Sequence, residues 1–259
     1  MPKNTRPNKE SVHDLLFKKA SEHATLTSAD EAALRSLPFE RRSLSSEEDV
    51  VCQWDRPRKA VLVLDGMMAR YHTMQNGDRQ YLSFHIAGDM PDIQSVFLDM
   101  MDHSLCALNA GEIALFRHDS LTKLFLKRPG VTFALWRTTL VDAAIFRQMI
   151  TNNSSRDPAS RLAHFCCEQY FRARHAGLAD GDSCSLPLNQ IQLGQTLGIS
   201  HISINRALQR LRKDGLLDLR SGKLTIFNWK ALVRLSEFDP VYLHVDKESE
   251  VSKTAFRGR

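Results

Sequence analysis

The residues of this 259-residue chain best placed to do chemistry on another molecule are Ser200, His201, Ile202, Ser203, Asn205, Arg206, Gln209 and Arg210. They read as the outward face of one helix, with Ile204 and Leu208 facing the other way. The chemistry such a face offers is recognition rather than bond-making. An arginine can grip guanine O6 and N7 with two hydrogen bonds, an asparagine can bond a base edge or a phosphate, and an apolar side chain can pack on a thymine methyl. A solvated helix face is the bland alternative, and the surrounding sequence weighs against it.

Two short helices crossing near a right angle need a small residue where they touch, a glycine where the chain turns, and apolar residues facing the junction. Gly194 is the small residue, Gly198 the turn, and Leu193, Leu197, Ile199, Ile204 and Leu208 the packing. The pattern predicts a helix-turn-helix that presents the N-terminal residues of its second helix to the major groove. Asp214-Gly215-Leu216-Leu217-Asp218-Leu219 and Leu224-Thr225-Ile226-Phe227 then read as a wing of two strands, joined by Arg220-Ser221-Gly222-Lys223, with Arg220 and Lys223 placed to lie on phosphate.

Charge is distributed to match. Residues 1–155 carry 19 Lys and Arg against 19 Asp and Glu, residues 156–235 carry 12 against 6, and residues 236–259 carry 4 against 5. The whole basic excess sits where the motif sits, which is the footprint of polyanion binding.

Upstream the period changes. Val61-Leu62-Val63-Leu64, Met68-Ala69-Arg70-Tyr71-His72 and Tyr81-Leu82-Ser83-Phe84-His85-Ile86 read as strands, with Asn76-Gly77 as a tight turn, so a small antiparallel β domain is expected. After Pro129-Gly130, Phe133, Trp136, Leu140, Ala143, Phe146 and Ile150 recur at helical spacing, to an end near Thr151 at Asn152-Asn153-Ser154-Ser155. Leu135, Val141 and Ile145 broaden the apolar face beyond what one domain needs, which predicts pairing with a second copy. Asp157-Pro158 starts another helix that buries Leu162, Phe165, Cys166, Tyr170 and Ala173, and 177–185 is expected to be a loop. The domain division is 1–22 a loose arm helical near 12–20, 23–128 the β domain, 129–154 the long helix, 155–238 the winged helix-turn-helix and 239–259 a polar, poorly ordered tail.

Composition excludes several classes. At 42% hydrophobic and 25% charged the chain has the makings of a real core, and no apolar run approaches the roughly 20 residues of a membrane-spanning helix. The N-terminus lacks the apolar stretch of a secretory signal, so a cytoplasmic protein is expected. Cys52, Cys106, Cys166, Cys167 and Cys184 form no CxxC pair and read as reduced, mostly buried thiols. His164 near Cys166-Cys167 invites a metal assignment, but adjacent helical residues diverge by about 100°, and no metal is predicted. No His-x-His with a partner glutamate, nucleophile elbow, P-loop or dinucleotide fingerprint is present, so no catalytic residues are assigned; a cupin-type metal enzyme is the remote alternative.

With these residues in place, the chain resembles the Crp/Fnr family of bacterial transcription regulators over residues 25–235. Leu64-Asp65-Gly66, the hairpin and Ala87-Gly88-Asp89 resemble that family's β-roll, and residues 191–211 its reading head. The resemblance implies an α+β fold: an N-terminal β-roll sensor like a cyclic-nucleotide-binding domain, a long dimerisation helix and a C-terminal winged helix-turn-helix. It implies duplex DNA, a second copy of the chain and RNA polymerase as partners, and no membrane. Arg206 falls on the family's base- or phosphate-contacting arginine and Ser203 on a small hydroxylated contact, whereas Ile202 stands where many members carry glutamate and His201 where some carry arginine.

The sensor departs further. The positions of the family's ribose- and phosphate-holding residues are taken by Asp92-Ile93 and His103-Ser104, with Asp89, Asp99 and Asp102 in the same stretch, so a degenerate pocket that does not bind cyclic AMP is expected. No cysteine precedes Cys52, so the N-terminal iron–sulfur ligands of the oxygen-sensing branch are missing. No cofactor is predicted, the effector is left open, and His72, His85, Cys52 and Cys106 read as structural or surface residues before they read as haem or redox groups. The second reading keeps the DNA-binding head and gives the β-roll only dimerisation or partner docking. The expected assembly is a dimer on a symmetric site of roughly 14–20 base pairs.

Overall fold

A computed structural model describes residues 11–22 and 24–245. Helices α1 (Val12–Ser21) and α2 (Ser28–Arg35) lead into strands β1 (Glu40–Leu44), β2 (Asp49–Val51), β3 (Lys59–Asp65), β4 (Met68–Thr73) and β5 (Arg79–His85). A short 3-10 turn (Ile93–Val96), β6 (Ser104–Ala107) and β7 (Gly111–Arg117) complete a two-sheet roll of strand order β1-β7-β3 and β2-β6-β4-β5. Then come α3 (His118–Lys127), the long α4 (Pro129–Ser155), α5 (Pro158–His175), β8 (Ser183–Ser185), α6 (Gln190–Leu197), α7 (His201–Lys213), β9 (Leu217–Arg220), β10 (Lys223–Ile226), α8 (Trp229–Ser236) and a 3-10 turn (Pro240–Leu243).

Strand alternation explains the layers. In β3, Val61 and Val63 face the second sheet while Ala60 and Leu62 face the helices, and all four are buried. The Asn76-Gly77 turn closes the β4–β5 hairpin with Gly77 at φ +84°. The hairpin register slips between Arg70 and Tyr71, which pair with Ser83 and Tyr81 and leave Leu82 as the extra residue of a bulge. That slip puts Tyr81 and Phe84 on one face. This outer face packs on the DNA-binding half: Phe84 meets Phe165 of α5 edge-on at 5.4 Å, and Gln192 of α6 donates to the Tyr81 hydroxyl at 3.4 Å.

Four sequence expectations need correction. The arm is helical where expected, as α1, but its helix is not loose: Ser11 and Asp14 form a capping box, and Val12, Leu16 and Ala20 are buried against the roll, a stripe too narrow to stand out in a polar segment. The 177–185 loop contains β8, which pairs with β10. The tail is not uniformly loose either, since Pro240 and Leu243 are buried and the Tyr242 hydroxyl donates to Glu168 at 2.8 Å. Residues 1–10 and 246–259 of the expected arm and tail lie outside the described residues. The long helix also passes Thr151, because Asn152 and Asn153 donate their side-chain amides to the carbonyls of Arg161 and Thr196, both at 3.1 Å, instead of competing with the helix backbone. Among the described residues no helix is long and apolar enough to cross a membrane.

Candidate nucleic-acid interface

The junction between α6 and α7 is built as the glycines demand. Asn189 caps α6 through a reciprocal box with Gln192, and α6 ends at Gly198 in the left-handed region, φ +64°. Ser200 caps α7 by accepting from the Ser203 backbone at 3.2 Å. At Gly194 a Cβ would lie 2.6 Å from the carbonyl oxygen of Ile199, so only glycine lets the two helices meet here. Leu193, Leu197, Ile204 and Leu208 are buried beneath the crossing, and Ile199 is half-buried.

With that face inward, Ser200, His201, Ile202, Arg206, Gln209 and Arg210 are exposed, while Ser203 and Asn205 are half-buried. Asn205 donates to Gln190 Oε1 at 3.2 Å. This bond leaves the Asn205 oxygen free to accept and ties α7 to the start of α6, a role for Gln190 that the sequence pattern did not single out. Arg210 lies 3.8 Å from both Asp157 and Asp214, so part of its charge is matched within the protein. At the wing, Arg220 and Lys223 face each other across β9 and β10, and the turn between them has Ser221 and Gly222 at φ +50° and +74°. Arg212 and Arg220 both engage Asp218, at 2.7 and 3.0 Å, which fixes the wing to α7, whereas both arginine and lysine at the tip remain exposed.

These positions separate two roles. Arg206→Ala is expected to cost about 1–3 kcal/mol on the preferred sequence and little on random duplex, whereas Lys223→Ala should weaken all sequences alike and reduce the salt slope by about 1. Fluorescence anisotropy on both duplexes across a salt series checks the split; equal losses for Arg206→Ala on the two duplexes would contradict it.

The four sensor positions do not form an open pocket. Asp92, Ile93, His103 and Ser104 are all buried, and none of them lines the large cavity of this structure. Asp92 Oδ1 accepts from the Val61 backbone at 2.7 Å, and Ser104 Oγ accepts from the Gln53 backbone at 2.9 Å, so both brace the roll. His103 is held by Asp102 at 2.7 Å, and its Nε2, like Asp92 Oδ2, is buried without a hydrogen-bond partner among the described residues. The space is occupied by Arg70. Alternation along β4 turns Arg70 and Met68 into the roll, and Arg70, 4% exposed, donates to the carbonyl of Pro91 and to Asp142 of α4 at 2.9 Å. Burial and the nearby Arg70 charge both hold His85 and His103 below the usual histidine range. A charged residue inside an otherwise apolar strand was the available signal for this network, but its partner lies 72 residues away.

Burial pushes the Asp92 carboxyl up to about 7 from 3.8, against the pull of the Val61 amide. The native state therefore keeps a proton that the unfolded chain releases, and this carboxyl removes stability as pH rises from about 4 to about 7. Asp92→Asn keeps the acceptor for Val61 and is expected to stabilise the protein by on the order of 1–3 kcal/mol at pH 8, with no gain at pH 4. Denaturant unfolding at the two pH values checks this; an equal effect at both would contradict it.

The other residues weighed as ligands have ordinary partners. His72 bonds the Asp102 carbonyl at 2.8 Å, and His164 lies 3.0 Å from Gln148 Nε2. Cys52 is exposed, while burial pushes the Cys106 thiol up to about 11. On α4, Leu135 and Ile145 face the core, Ala143 and Phe146 are half-buried, and Phe133, Trp136 and Leu140 are exposed by 63%, 56% and 50%. The helix thus carries two apolar faces, one of them uncovered among the described residues.

Comparison with known proteins agrees in both halves. Residues 41–128 match the model of a cyclic nucleotide-binding domain, and residues 160–235 that of a Crp-like helix-turn-helix domain. The fumarate and nitrate reduction regulatory protein of Vibrio cholerae is 22% identical over 212 residues, covering 82% of this chain and 84% of its own. The protein of the same name from Escherichia coli K12 is 24% identical over 182 residues, 70% and 72% of the two chains. Among solved structures, FixK2 from Bradyrhizobium japonicum superposes with a TM-score of 0.70 at 22% identity, over 77% of this chain and 98% of its own. A CooA variant from Carboxydothermus hydrogenoformans gives 0.61 at 18%, over 76% and 88%.

Proposed function

Given that the chain belongs to the Crp/Fnr family of DNA-binding transcription regulators, we propose that it reads a two-fold symmetric operator as a homodimer joined along α4, and that its β-roll takes no cyclic AMP. The observation that carries the reading is the pairing of an exposed α7 reading face with an uncovered apolar stripe, Phe133, Trp136 and Leu140, on the long helix of the same chain. Water contact with three large apolar side chains along one helix face is unfavourable by roughly 1.5–3 kcal/mol for each side chain that burial would cover. A second copy is the occupant that also supplies a second α7, about one DNA turn from the first.

Arg70 supports the second half of the proposal. A ligand phosphate in the roll would need the space that the guanidinium fills, and would leave Asp142 and the Pro91 carbonyl without their donor. Asp92 and Asp102 add no attraction for an anion.

The test combines mass and titration. Light scattering should give twice the chain mass for the native protein and the single-chain mass for Trp136→Glu, Leu140→Glu, with operator affinity lost in step; calorimetry with cyclic AMP should show no binding. A native monomer that binds DNA, or micromolar cyclic AMP affinity, would overturn the respective half.

A further inference from the structure

A cavity of about 1190 Å³ lies outside the roll, between it and α1, α4 and α5. It is large enough for a small organic molecule, since such sites run about 300–1,000 Å³. Its middle is apolar, with Ile86 of the roll and Val141 and Ile145 of α4. One end is cationic. There Lys19 of α1 and Arg172 of α5 converge on a single carboxylate, Asp89, at 3.0 Å each.

The charges at this end are unevenly matched. Lys19 is also met by Glu22 at 3.0 Å, but Arg172 makes one hydrogen bond among the described residues, to Asp89, out of the five N–H groups a guanidinium carries. Of the other groups that act on it, Glu168 sits 3.9 Å away and is drawn toward Tyr242 by a shorter hydrogen bond, and Asp142 lies farther off and is bonded to Arg70. Lys18 lines the same end and donates to the Ala176 carbonyl at 3.2 Å; of the other lining carboxylates, Glu112 is met by Arg41 at 3.1 Å and Asp142 by Arg70 at 2.9 Å, while Asp65 lies at the opposite end beside Glu112. Asp89 therefore serves two half-buried cations from two different parts of the chain, and an arginine fork opening into a partly apolar cavity is a receptor for a planar or tetrahedral anion.

We propose that this cavity binds a small organic anion with an apolar body, whose charged head takes Arg172 and Lys19 from Asp89. The site is distinct from the filled interior of the roll. Its occupancy has a mechanical consequence: Lys19, Asp89 and Arg172 belong to α1, the roll and the DNA-binding half, so a ligand that replaces Asp89 exchanges a tie within the protein for one through itself.

Calorimetry on the full chain with octanoate, octyl phosphate and uncharged octanol tests this. The two anions are expected to bind one per chain, and octanol at least about tenfold more weakly. Arg172→Met should lower octanoate affinity by about tenfold or more, while Asp89→Asn, which neutralises the internal competitor, should raise it several-fold. Lys18→Met, at the exposed rim where the ammonium reaches the Ala176 carbonyl, should weaken octanoate by about two- to threefold, and keeps the test valid should Arg172→Met fail to fold. Binding of one anion but not the other supports the proposal and assigns the head group. Octanol binding as tightly as the anions, or octanoate affinity unmoved by both Asp89→Asn and Lys18→Met, would overturn it. No DNA is present in these titrations, so their failure leaves the operator reading intact, and the converse holds.

Discussion

Replacing Gly194 with alanine is expected to weaken operator binding at least about tenfold and to destabilise the DNA-binding half by about 1–3 kcal/mol or more. The added carbon would lie 2.6 Å from the Ile199 carbonyl oxygen and 3.5 Å from the His201 amide, and both obstacles are backbone. Relief therefore requires the turn itself to move, which rotates α7 on α6 and carries Arg206 off its mark. Gly198 provides the contrast. Its positive φ disfavours side chains, yet nothing lies within 4 Å of the Cβ it lacks, so Gly198→Asn should retain most DNA affinity. Anisotropy and denaturant unfolding on the two variants would test the difference; Gly194→Ala with native affinity would mean that the helices do not cross as described.

The second large effect concerns Arg70. Arg70→Met removes the donor to Pro91 and the counter-charge of Asp142, and breaking a buried pair by removing one partner costs about 3–5 kcal/mol. Converting both partners, Arg70→Met with Asp142→Leu, removes the stranded carboxylate and should recover much of that loss. Asp142 is a quarter exposed, which places the expected loss at the lower end of the range. A double-mutant cycle by chemical denaturation measures the coupling. Strictly additive losses would show that the bond between β4 and α4 contributes nothing to holding the roll against the long helix.

The contrast between these two sites shows what a sequence discloses. The helix-turn-helix was legible because everything that fixes it is local: Gly194, Gly198 and their apolar partners lie within about fifteen residues, and each is required by the crossing itself. The hairpin was legible for the same reason, through alternation and Asn76-Gly77. The helical period of α4 was equally plain, but the period could not say that Leu135 and Ile145 face the core while Phe133, Trp136 and Leu140 face out, because that depends on which other elements arrive.

What was missed is non-local. Three-residue β8 exists only because β10 pairs with it, and α1 buries a stripe whose complement, including Phe116, lies on distant strands and helices. The four sensor positions stand out in the sequence as altered, yet Arg70, which turns into the roll beside them, and the acid that holds it, Asp142, come from elements that meet only in three dimensions. Lys19, Asp89 and Arg172 are hidden for the same reason. In the reading face, the bond from Asn205 to Gln190 spans two helices and has no signature in either alone.

In the proposed function α7 offers Arg206 and its neighbours to the major groove of duplex DNA. Selection of bound sequences from a random duplex pool, run in parallel with the native protein and with Arg206→Ala, tests it most directly. The native protein is expected to enrich two inverted half-sites centred about ten base pairs apart, and Arg206→Ala to lose preference at one symmetric pair of positions. Enrichment of no sequence by the native protein, or an identical enriched motif from both proteins, would contradict it.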